Sequence, residues 1–140
     1  MLEAAAIFSS LFAAMPASAA QVNVSGAWFR ALPSSLPAGG YFTLHNGGAD
    51  IRLTGARSPA CGMLMLHKST ESGGMSSMAM VESIDVPAGG TVEFSPGGYH
   101  LMCTDPTSAM TPGAQASVTF KFSDGTTTTV NFAVKNANGK

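Results

Sequence analysis

A chain of 140 residues with seven Lys and Arg against eight Asp and Glu, a formal net charge of −1, has the size of one domain. It carries no field that would draw it to nucleic acid or anionic lipid. Only 11% of its residues are charged and it is rich in Gly, Ser and Thr, which suits an exported β protein better than a helical cytosolic one. No nucleophile elbow, phosphate loop or paired-carboxylate motif is present, so an enzyme is not expected.

The first nineteen residues read as a signal peptide. An apolar run from Ala4 to Ala14 leads through Met15 and Pro16 to the small-residue site Ala17-Ser18-Ala19. The start, Met1-Leu2-Glu3, lacks the positive charge of a secretory leader. The run is shorter than the ~20 apolar residues of a membrane span. A mature domain of 20–140, without a span and with no net charge once Glu3 is lost, is therefore expected outside the cytoplasm.

Past the leader, short alternating runs bounded by Gly, Pro and Asp recur about every ten residues, the pattern of a β-sandwich or barrel. Strands are predicted over Val22–Arg30, Gly40–Asn46, Ile51–Arg57, Met63–His67, Met78–Val86, Thr91–Ser95, Tyr99–Thr104, Ser117–Phe122 and Thr127–Val134. Asp124-Gly125 between the last two is a strong hairpin signal. Pro87-Ala88-Gly89-Gly90 and Pro96-Gly97-Gly98 read as turns, and the polar stretch Ser69–Ser77 as a flexible loop.

Two cysteines, Cys61 and Cys103, read first as a disulfide in an exported chain, which would stabilise the fold by about 4 kcal/mol. The competing reading makes them metal ligands or redox thiols.

Two histidines and two methionines carry the most information. Ten residues separate His67 from Met78, twenty-one separate Met78 from His100, and Met102 stands two positions after His100. In a strand, residues two apart share a face, so His100 and Met102 project together, with Tyr99, Leu101 and Cys103 on the other side. Imidazole and thioether form a soft, neutral donor set suited to Cu(I) rather than Mg²⁺, Ca²⁺ or Mn²⁺. Nine methionines are present, and Met63, Met65, Met75, Met78 and Met80 crowd into eighteen residues. Met is also a flexible core filler, and Met63 or Met65, alternating with Leu64 and Leu66, is expected in the core. His45 has no spaced partner and is expected to be structural or solvated.

The spacing H-x10-M-x21-H-x-M resembles the signature of the periplasmic copper-A chaperone family (PCuAC). Ala27-Trp28-Phe29-Arg30, Tyr41–Asn46, Val86-Pro87-Ala88-Gly89-Gly90, Pro96–Met102 and Phe120–Gly125 resemble further segments of that family. The resemblance implies an all-β, cupredoxin-like Greek-key β-barrel or sandwich holding one Cu(I) through His67, Met78, His100 and Met102. It implies a monomer in the periplasm that delivers copper to the copper-A site of cytochrome c oxidase subunit II, alongside a Sco-type thiol copper protein. Some members bind Cu(II) in a His- and Met-rich tail, a feature that Lys135–Lys140 does not share. Two other classes remain open: a cupredoxin-type electron-transfer protein, and a non-metal immunoglobulin-like interaction module.

Overall fold

The computed structural model describes residues 21–33 and 35–140, and the expected leader, 1–19, lies outside them. The described chain is all-β: β1 (Val22–Arg30), β2 (Ala38–Asn46), β3 (Ile51–Arg57), β4 (Cys61–Ser72), β5 (Met75–Met80), β6 (Ile84–Val86), β7 (Thr91–Phe94), β8 (Tyr99–Pro106), β9 (Gln115–Phe122) and β10 (Thr127–Lys135). They form one mixed sheet in the order β5-β4-β8-β7-β2-β1-β10-β9-β3-β6. Its parallel junctions are β1–β10 and β7–β8. The sheet curls until β3 rests against β4, but no hydrogen-bonded ladder joins those two strands among the described residues, so the barrel stays open.

Period-two patterning places the core. Phe42 and Leu44 of β2 point inward with Phe29, Phe94, Phe120 and Phe132, all at most 2% exposed. Phe42 is the hub, its ring centroid 4.2 Å from Phe94, 4.8 Å from Phe120 and 5.8 Å from Phe132. Each such burial contributes about 1.5–3 kcal/mol. Asn46, 1% exposed, is the one polar side chain among the largest buried residues. Its Nδ2 donates to the carbonyls of Ala49 and Val86 at 2.8 and 2.9 Å, and its Oδ1 accepts from the Gly48 amide at 2.9 Å. The asparagine thereby ties the end of β2 to the edge strand β6.

One irregularity builds the site. Phe94 of β7 pairs with Phe42, and Leu101 of β8 pairs with Gly40, so Ser95–His100 stand opposite Tyr41 alone. The excess chain turns through Pro96-Gly97-Gly98, with Gly97 at φ 87° and the Gly98 amide bonded to the Ser95 carbonyl at 3.0 Å. Glycine supplies the positive φ without steric cost. After the detour the chain re-enters the sheet as β8, against β4.

Two expectations about this region are corrected. The run Met78–Val86 is not one strand but two, β5 at one edge of the sheet and β6 at the other, because the halves pair with β4 and β3 respectively. Ser69–Ser77 is not a loop: it forms most of a hairpin whose turn is only Gly73-Gly74, at φ 58° and 79°. Two consecutive positive φ angles are what a tight hairpin turn requires. His67 accordingly lies within β4 rather than at its end.

Candidate metal centre

Register decides which side chains meet. Across β4 and β8, His67 faces His100 and Met65 faces Met102. Across β4 and β5, His67 faces Met80, and Ser69 faces Met78. All these residues share the outer face, since Leu64, Leu66, Leu101 and Cys103 on the alternate positions are buried. Leu101, fully buried between the two β8 donors, sits against Gly40, where a Cβ would fall 2.7 Å from Phe29 Cε1 and 3.0 Å from Leu101 Cβ. Glycine at that position therefore lets β8 pack close and fixes the backbone on which His100 and Met102 stand.

The imidazole rings of His67 and His100 lie 5.6 Å apart between centroids, inclined at 59°. His100 is 5% exposed, and its Nδ1 lies 3.3 Å from the Gly98 carbonyl. A carbonyl can only accept, so in the neutral imidazole Nδ1 carries the proton and Nε2 the free lone pair. The same carbonyl accepts the Ser69 amide at 3.0 Å, clamping the detour onto β4. His100 Nε2 is buried without a hydrogen-bond partner, and so is His67 Nδ1. An orphaned buried polar atom costs about 1–3 kcal/mol. Two of them on facing residues fit a soft cation that accepts both lone pairs. Burial first, and the charge of His100 second, hold the His67 imidazole below its ordinary value of 6.5, which favours the neutral ligand form.

The thioethers are more open. Met102 is half-buried, whereas Met78 and Met80 are 63% and 68% exposed on the edge strand. The structure thus sets His67 directly opposite His100, with Met102 two residues along the same face of β8 and diagonal to His67. Met78 stands diagonal to His67, a separation that a long side chain spans. Met80, which the sequence leaves open beside Met75 as a substitute for Met78, stands directly opposite His67, and Met65, not read as a site residue from the sequence, stands directly opposite Met102. The signal was available, because Met63, Met65 and His67 alternate and must share a face. The expectation that Met63 or Met65 fills the core is corrected: Leu64 and Leu66 do so, and Met63 is 58% exposed.

Cys61 and Cys103 form a disulfide with Cα atoms 5.4 Å apart, stapling β4 to β8, so the thiolate-ligand reading falls away. No cluster of three or more His, Cys, Asp or Glu occurs among the described residues. His45 is exposed, its Nδ1 3.0 Å from Thr91 Oγ1, and takes no part.

Beside the donors, register runs from Met102 through Gly39 and Arg30 to Lys135. Arg30 lies over Trp28 and Tyr41 at 5.3 and 5.5 Å, and Lys135 over Trp28 at 5.3 Å. Tyr41 Oη occupies the space that a Cβ on Gly39 would need. A cationic, aromatic patch therefore borders the donor face.

Fold and site define a class. The chain superposes on the copper-bound PCuAC domain from PmoF2 with a TM-score of 0.69 at 23% identity, covering 83% of this chain and 93% of that one, a likeness of fold. The solution structure of CuI-DR1885 from Deinococcus radiodurans is 36% identical with a TM-score of 0.64, covering 79% and 75% of the two chains. The family described as "Putative lipoprotein LpqE-like" matches residues 22–134, and the "Putative lipoprotein Lxx21020" of Leifsonia xyli is 34% identical over 119 residues, 84% of this chain and 72% of that protein. The chain belongs to the LpqE-like, PCuAC-type family.

Proposed function

We propose that this protein is a copper chaperone that binds one Cu(I) as cargo through His67, His100, Met102 and Met78. The observation that carries the reading is the pair of buried, unpartnered imidazole nitrogens on facing residues of β4 and β8. The copper named in the titles of the similar PmoF2 and DR1885 structures supports it. Relatives named as lipoproteins support an exported protein of the cell envelope, with the periplasm as its compartment. The acceptor is the copper-A site of cytochrome c oxidase subunit II, reached alongside a Sco-type thiol copper protein, and the chain acts as a monomer without catalysing a reaction of its own.

Each residue has a task. In the neutral imidazole the Gly98 carbonyl holds the His100 proton on Nδ1, which leaves Nε2 to meet the ion. His67, kept neutral by burial, supplies the second nitrogen. The exposed thioethers are weak, neutral donors that leave one at a time when an acceptor's Cys or His attacks. Electron transfer is disfavoured because a blue-copper site needs a Cys thiolate, and both cysteines are in the disulfide.

Competition with protons tests the reading. Met does not titrate, so imidazoles alone set the pH dependence. Because His67 is depressed in the folded chain, its competition sets in below the ordinary 6.5. Cu(I) affinity is expected to be level above about pH 6.5 and to fall progressively below it, whereas a curve flat to about pH 4 excludes both imidazoles. The copper-free protein should lose stability over the same range. The unfolded chain takes up a proton at His67 near 6.5, before the folded one does, so falling pH favours unfolding.

A further inference from the structure

The outward face of an antiparallel strand is ordinarily polar. Along β4 it turns polar only past His67, at Ser69 and Glu71; before them it carries Met63, Met65 and His67, with Leu64 and Leu66 buried behind. Met63 leaves 58% of its surface in water, and Met65 stands directly opposite Met102. Three thioethers therefore occupy neighbouring outer-face positions, two on β4 and one on β8. Met102 stands two residues from His100, on the same face as the imidazole pair. The β4–β8 ladder holds the three methionines in register, and the disulfide between Cys61 and Cys103 staples the same two strands just beyond this group. Neither Met63 nor Met65 has a role in the four-donor set.

We propose that Met63, Met65 and Met102 form a second site, an all-thioether landing place for a soft monovalent cation, Cu(I) or Ag(I), from which the ion passes to the imidazoles. The role in transfer rests on the chaperone reading above, but the site itself does not. Soft sulfur donors select Cu(I)-like ions over hard cations. Met102 belongs to both sets and is the donor that the ion keeps while it moves. Each step replaces one neutral sulfur or nitrogen lone pair by another, so the ion stays monovalent and neither a proton nor an electron is transferred.

The test is Ag(I) titration of the protein with its methionine methyl groups labelled with ¹³C, followed by NMR. In the wild type, the first equivalent is expected to move the Met78 and Met102 methyls, and the second those of Met63 and Met65. Met63→Leu/Met65→Leu should lose the second equivalent. In His67→Ala/His100→Ala, a single equivalent should move Met63, Met65 and Met102 together. Met63 and Met65 methyls that stay still through several equivalents in the wild type overturn the second site and leave the chaperone reading intact. Movement of Met63 and Met65 with Met78 unmoved throughout supports the second site while removing the four-donor set.

Discussion

Replacing His100 by alanine is expected to weaken Cu(I) binding by about a hundredfold or more, roughly 2.8 kcal/mol. Of the four proposed ligands, His100 has the most fixed geometry. Its ring is buried, its Nδ1 lies against the Gly98 carbonyl, and its Nε2 is buried without a partner. No other imidazole can take its place, because His45 is engaged with Thr91. Met78→Leu should behave differently. Met80 lies on the same face of β5 and directly across from His67, so a second thioether is at hand. We expect that loss to stay within about tenfold, or 1.4 kcal/mol. Competition against a chromogenic Cu(I) chelator measures both. Equal losses for the two variants would mean that Met78 holds a position Met80 cannot reach.

Removing the disulfide is expected to have the largest effect on stability. It closes a loop of 42 residues between β4 and β8, worth about 4 kcal/mol on the chain-entropy account. That is a large share of the ~5–15 kcal/mol by which domains are stable. Cys61→Ala/Cys103→Ala should lower the melting temperature by on the order of 15 °C. Cu(I) affinity at a temperature where the variant remains folded should change far less, because the ladder that aligns His67 with His100 persists without the bridge. Circular dichroism and the same chelator competition separate the two quantities. A large loss of affinity in the folded variant would make the disulfide a part of the site rather than of the scaffold.

Much of the fold was legible because one-sided burial writes a period of two into the sequence. β1 and β3 fall where alternation puts them, and Asp124-Gly125 turns β9 into β10 as expected, with Asp124 Oδ1 accepting from both the amide and the hydroxyl of Thr126 at 2.9 and 2.6 Å. The β4–β5 hairpin was not legible for the same physical reason. β5 is exposed along its whole length, so no hydrophobic alternation marks it, and its polar residues read as loop. The break between β5 and β6 is set by tertiary partners, β4 on one side and β3 on the other, which no local pattern encodes. At the site, spacing singled out His67, Met78, His100 and Met102, and register places His67 opposite His100 with Met78 and Met102 each on a diagonal to His67. Alternation already puts Met63, Met65 and His67 on one face of β4, but the partners of Met65 and Met80 across the strands, Met102 and His67, emerge only once register is known.

Cu(I) X-ray absorption on the loaded protein tests the central claim most directly. The account predicts a copper shell of mixed nitrogen and sulfur, two imidazoles and two thioethers, with the nitrogen contribution reduced in His100→Ala and the sulfur contribution kept in Met78→Leu. A shell of sulfur alone, or one that His100→Ala leaves unchanged, would contradict it.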